Sequence, residues 1–129
     1  MLATQSFFRN IPVPPYIEAT GGDSIVTDGD YKVHIFTSSK TSGSDGFNVS
    51  NVGLPSGSNT VEYLVIAGGA GGGQPGIGGG GGAGGVRTAT GLAASSGNHN
   101  ITIGAGSASN TDGVNSTLAM GSITSTGGG

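Results

Sequence analysis

Few residues in this chain have the type and spacing to do chemistry. His34 and His99 are its only imidazoles. Each lies inside an alternating run of the kind that makes β-strands, and neither sits in a metal-ligand spacing. Asp28-Gly29-Asp30 offers two carboxylates. A calcium ion takes about six oxygens or more, however, and Asp-Gly is a strong hairpin signal, so a turn is expected there. Gly71-x-Gly73-x-x-Gly76, directly after the apolar run 61–66, has the spacing of a dinucleotide phosphate loop. That loop works only if a helix opens at its third glycine and points its amides at pyrophosphate. Gln74-Pro75-Gly76-Ile77, followed by more glycine, does not open a helix, and no Asp or Glu lies between Glu62 and Asp112 to hold a ribose. No Lys-Ser/Thr follows a candidate glycine as in a P-loop, and no Gly-x-Ser-x-Gly elbow is present. The expectation is therefore a protein with no catalytic residue, no cofactor and no metal.

The glycines themselves are the stronger signal. Thirteen of the eighteen residues from 68 to 85 are glycine. Glycine loses the most backbone entropy on ordering and adds no side chain to a core, so a fixed tract needs backbone hydrogen bonds from neighbouring strands or chains. Collagen is excluded by the absence of a strict triplet and by the single proline, Pro75. Wound as a left-handed threefold helix, the tract places Gln74, Ile77 and Ala83 on one ridge with Gly71 and Gly80, and leaves the other two ridges bare except for Ala70 and Pro75. Bare ridges allow strands of the same conformation to approach and exchange amide hydrogen bonds, as in a polyglycine II bundle. The competing reading is a flexible glycine linker; the lack of serine in the tract favours order. Gly71, Gly72, Gly73, Gly78, Gly79, Gly81 and Gly82 are the candidate assembly residues.

The flanking segments divide the chain. Residues 1–16 carry Phe7, Phe8, Ile11, Val13 and Tyr16 and end in a run with three prolines, Pro12, Pro14 and Pro15, which fixes an extended course and removes three amide donors. This is the pattern of a docking arm, and those five apolar residues are the candidate partner contacts. From Ile17 the pattern is of short alternating runs separated by Gly/Asp/Ser/Asn turns, predicting strands near 17–20, 24–27, 31–37, 47–52 and 60–66. Beyond the tract, strands are expected at 86–90, 98–103 and 117–123. The fold class read from this is all-β: a small antiparallel β-sandwich over 17–67, the glycine-rich tract over 68–85, and a short-strand glycine-rich region over 86–129. The closing Thr-Gly-Gly-Gly reads as the opening of a second tract that buries nothing, so the natural chain is expected to continue beyond residue 129.

Composition narrows the partners. Large apolar residues make up about a quarter of the chain, near the lower limit for a self-sufficient core. Only 9% of residues are charged and the net charge is −3, which favours association with copies of itself. Arg9, Lys32, Lys40 and Arg87 are scattered singly, so nucleic acid is not an expected partner. No run approaches the roughly 20 apolar residues of a membrane span, and the start lacks the cationic flank of a secretion signal, so membrane insertion and Sec export are not expected. With no cysteine, stability must come from backbone pairing and interfaces.

Three segments in order, residues 31–39 (Tyr-Lys-Val-His-Ile-Phe-Thr-Ser-Ser), 61–69 (Val-Glu-Tyr-Leu-Val-Ile-Ala-Gly-Gly) and 101–106 (Ile-Thr-Ile-Gly-Ala-Gly), resemble the glycine-rich module of tailed-bacteriophage tail fibres and related virion surface proteins of marine-phage type. The resemblance covers about residues 18–129 and leaves out the arm; the loop 40–46 is longer than usual for that family. It implies a non-enzymatic, trimeric component of the virion tail, made in the host cytoplasm. Its N-terminal arm would attach to other virion proteins such as a tail adaptor, nozzle or capsid, and its distal part would meet the host cell surface as an adhesin. A capsid decoration protein or head fibre is one alternative, and a cell-surface adhesin or matrix protein is another.

Overall fold

The computed structural model describes Pro12, residues 14–74, Gly76 and residues 78–129. Phe7, Phe8, Ile11 and Val13 of the arm, and Pro75 and Ile77 of the tract, lie outside the described residues.

The described chain is all-β apart from one 3-10 turn. Its strands are β1 (Ile17–Thr20), β2 (Ser24–Asp28), β3 (Tyr31–Ile35), β4 (Phe47–Val52), β5 (Thr60–Ile66), β6 (Val86–Ala93), β7 (Gly97–His99), β8 (Ile101–Thr102), β9 (Ser116–Leu118) and β10 (Ile123–Ser125). They form four small antiparallel sheets, in the orders β1-β4-β7, β10-β9-β8, β2-β3 and β5-β6. The β2–β3 hairpin closes on the pair Asp28↔Tyr31, with Gly29 (φ 57°) supplying the left-handed turn position that the Asp-Gly sequence signals.

The two expected strands at 98–103 and 117–123 are each broken in two. Residues 97–99 pair with β4 while 101–102 pair with β9, because the chain changes sheets at Asn100. Residues 117–123 reverse instead of running on: Leu118 pairs with Ile123 across the turn Met120–Ser122, where Gly121 (φ 73°) and Ser122 (φ 53°) are both left-handed. The alternation of Leu118 and Met120 breaks at Gly121-Ser122 before Ile123, and that pair is the local signal for the reversal.

The core is small. Ile101, Leu118 and Met120 are buried, and Phe36, Phe47, Val61, Tyr63, Val65, Leu92, Ile103 and Ile123 pack around them. Strand β5 follows its sequence alternation: Val61, Tyr63 and Val65 face the core, while Leu64 and Ile66 are 63% and 56% exposed. In β3 the larger apolar set faces outward, since Tyr31, Val33 and Ile35 are exposed while His34 meets Phe47 edge-on at 5.1 Å.

Candidate assembly surfaces

Strand β5 runs straight into the glycine tract, and the tract keeps the strand's register. Ile66 pairs with Val86, and the amides of Ala67, Ala70 and Gly73 then donate to the carbonyls of Gly85, Gly82 and Gly79. Every pair extends the alignment set by β5 and β6. The bonds to this neighbour now recur every third residue, and the ridges between them turn to other partners. Gly68 and Gly71 donate to Val114 and Thr111. The carbonyls of Gly69 and Gly72 accept from Ser107 and Asn110, and that of Gly68 accepts from Gly128. A side-chain-free segment is thereby surrounded by four others from the same chain, which satisfies donors that would otherwise need water.

Close approach explains the composition. A Cβ added to Gly71 would overlap the carbonyl of Ala108; one on Gly81, the carbonyl of Ala70; one on Gly113, the carbonyl of Gly68; one on Gly128, the carbonyl of Gly82. Gly72 has the Gly79 oxygen 3.3 Å from its Cβ position, and Gly78 stacks on the backbone of Gly73. Gly82 both accepts from Ala70 and donates to Gly129. Gly79 and Gly80, by contrast, are exposed with nothing within 4 Å. The candidate assembly glycines therefore divide: a Cβ on Gly71, Gly72, Gly73, Gly78, Gly81 or Gly82 would meet backbone of the same chain, whereas Gly79, whose carbonyl accepts from Gly73, would point one into open space.

The sequence reading missed the partners, which are residues 104–114 and 126–129. The terminal triplet, expected to bury nothing, is threaded into the bundle: Gly128 is buried, Gly113 donates to its carbonyl, and Gly127 donates to the Asn115 Oδ1 at 2.8 Å. Gly104-x-Gly106 and Gly113 were the signal for this, since isolated glycines recur wherever a neighbouring backbone crosses.

Tyr16, the one described residue of the proposed arm contacts, is 66% exposed. Its base is fixed on β4 and the β4–β5 loop: the Pro15 carbonyl accepts from the amides of Leu54 and Ser58 in the loop, and Asn51 Nδ2 of β4 donates to the carbonyls of Pro14 and Tyr16. Beside Tyr16 opens a cleft of about 1140 Å³ between the β2–β3 hairpin and the β5–β6 hairpin. Phe36, Phe47, Val61, Tyr63, Val65 and Leu118 line it, so the side chains that pack the core are also its floor. Among the described residues, Asp28, Asp30 and Glu62 lie along its walls with one cation, Lys32.

The polar groups serve structure. Asp23 accepts from the amides of Thr37 and Ser38 at 2.7 and 2.9 Å, and pairs with Lys40 at 2.8 Å. The Lys40 ammonium foremost, then the Thr37 amide and the Ser38 hydroxyl, hold its carboxyl well below the usual carboxylate range. His34 Nδ1 bonds the Gly21 carbonyl and His99 Nε2 that of Ser95, each at 2.7 Å. Among the described residues no three His, Cys, Asp or Glu side chains converge on a metal position, and no helix is long and apolar enough to cross a membrane.

A family model described as a glycine-rich domain matches residues 42–129, from the loop before β4 through the whole glycine bundle. No curated protein and no solved structure matches the chain.

Proposed function

This chain belongs to the glycine-rich domain family, and from that premise we propose that it is a building block, not a catalyst: the particle-attached part of a bacteriophage tail fibre. The observation that carries the reading is the glycine bundle. A segment whose amides and carbonyls engage several backbones of its own chain, with bonds to one neighbour recurring every third residue, makes a side-chain-poor body suited to a structural role. It supports a polyglycine II-like interior, and it leaves no room there for side chains that could bind or transform a substrate. The ordered resemblance of residues 31–39, 61–69 and 101–106 to phage tail-fibre modules supplies the biological setting.

In this reading the protein sits in the virion tail after synthesis in the host cytoplasm and assembles as a homotrimer. The arm 1–16 makes its N-terminal attachments, and the distal part faces the host surface. Ile25, Val26, Tyr31 and Val33 on one hairpin, and Leu64, Ile66 and Val86 on the other, are all more than 40% exposed. So much apolar surface on so small a body favours burial against other chains.

The test is to label the chain in purified particles with a bound antibody fragment and image them, and to weigh the purified chain by sedimentation equilibrium. Label at the tail and the mass of a trimer are expected. Label distributed over the capsid shell would replace the tail-fibre reading with a head fibre or decoration protein. Particles without the chain, or a single-subunit mass at all concentrations, would overturn it.

A further inference from the structure

We propose that the cleft between the two hairpins is filled by the N-terminal arm of a second copy of this chain. The cleft is an unfinished part of the core. Its floor consists of half-buried side chains, Tyr63 and Phe47 among them, that already pack on Ile101, Leu118 and Met120 on one side and are open on the other. An apolar segment laid along it would complete their burial, and each aromatic ring it contributed would remove on the order of 150–250 Å² from water.

The arm has the composition for this. Residues 1–11 include Met1, Leu2, Phe7, Phe8 and Ile11, and their only charge is Arg9. Among the described residues the cleft walls carry Asp28, Asp30 and Glu62 against one cation, Lys32, so the charge on the arm and the excess charge on these walls are opposite. The arm also has the length. Eleven extended residues reach roughly 36 Å, and the seven-residue strand β5 that forms one wall spans about 23 Å.

The course of the described chain indicates whose arm it is. Tyr16 lines the cleft, but Pro15, Pro14 and Pro12 are exposed and lie outside its lining. The Pro14 and Pro15 carbonyls are tied to Asn51 of β4 and to Leu54 and Ser58 on the β4–β5 loop. Among the described residues the chain before Tyr16 is thus tied to Asn51 and the β4–β5 loop and not to the cleft lining, and Pro14 and Pro15 favour an extended course there. An extended, proline-stiffened exit next to an open apolar cleft favours exchange of arms between copies over a return to the same body. Repeated around a closed ring, the exchange would join protomers independently of the glycine bundle. The inference uses the building-block reading only in requiring that copies associate, and it reassigns the apolar residues of the arm from attachment to other virion proteins to attachment between copies.

Photo-crosslinking of the full chain tests it. Phe8→p-benzoylphenylalanine is introduced, and light- and heavy-nitrogen chains are mixed in equal amounts, refolded together and irradiated; the products are then sequenced by mass spectrometry. Crosslinks from residue 8 to β5, β6 or Phe47 are expected, with those joining a light chain to a heavy one as frequent as those joining like chains. Crosslinks confined to single chains, or landing outside the cleft, overturn the proposal and leave the building-block reading standing. Deleting residues 1–11 supplies a second measurement: the association constant is expected to fall at least tenfold while the unfolding transition is retained, and unchanged association overturns the exchange. Absence of the chain from particles would sink the tail-fibre reading without touching this one.

Discussion

Replacing Gly71 with alanine tests whether the glycine bundle is packed or merely collapsed. Gly71 does not have a positive φ, so alanine can adopt its backbone conformation and the cost is steric alone. The new methyl would overlap the Ala108 carbonyl and push away a segment that makes three bonds at 3.0 Å: Gly71 to Thr111, Ser107 to Gly69, and Asn110 to Gly72. Overpacking costs about 1–3 kcal/mol, and weakening one backbone bond adds about 1 kcal/mol. The unfolded chain's lost freedom returns about 0.4–1 kcal/mol. The expected net destabilisation is about 2–3 kcal/mol. Gly80→Ala is the control: nothing lies within 4 Å, so only the unfolded-state effect remains and the variant should be stabilised by a few tenths to about 1 kcal/mol. With an unfolding entropy of about 2.1 cal/mol/K per residue, each kcal/mol moves the midpoint of a chain this size by about 4 °C. Scanning calorimetry should therefore separate the two variants by roughly 10 °C, and amide exchange at Ser107 and Asn110 should quicken in Gly71→Ala alone. Equal midpoints, or a lower one for Gly80→Ala, would refute the claim that a neighbouring backbone excludes side chains at Gly71.

Three further outcomes follow from single groups. Ser116 and Ser125 are each 1% exposed, but Ser116 Oγ accepts from the Gly104 amide at 2.8 Å while Ser125 Oγ has no partner among the described residues; Ser116→Ala should cost about 1–3 kcal/mol and Ser125→Ala should be neutral or stabilising in urea titrations. Because folding depresses the Asp23 carboxyl, its stabilisation is fully present above the ordinary carboxylate range and is lost as pH falls below about 4. The melting temperature of the native chain should thus drop more between pH 6 and pH 2 than that of Asp23→Asn, and parallel pH profiles would count against the hub. Gly91 (φ 74°) forms the bulge opposite Val61–Tyr63 with open space around it, so Gly91→Ala should cost about 1–2 kcal/mol from backbone strain, measured by thermal unfolding.

Residue types and their local order determined the all-β class, the positions of β1 to β5 and the Asp28–Asp30 turn. Each is a short-range consequence of alternation, φ preference or a missing Cβ. What they left undecided was which segments meet. Nothing local to Asn100 tells the chain to change sheets, because the alternation of His99, Ile101 and Ile103 runs across it, and at the second break Gly121-Ser122 marks a turn without naming which strands it brings together. Nothing local to Gly68 names residues 111–114 and Gly128 as its neighbours, because glycine carries no side chain to specify a partner. Tertiary structure decided those matters through register: once Ile66 is set against Val86, each following glycine is carried to a fixed height in the bundle, and glycines elsewhere in the chain, at 104, 113, 127 and 128, are the positions where another backbone can come close. The same packing left Tyr31, Val33 and Ile35 facing out and the core open beside Tyr63. Alternation sorts side chains onto two faces, and only the assembled sheets determine which face is covered.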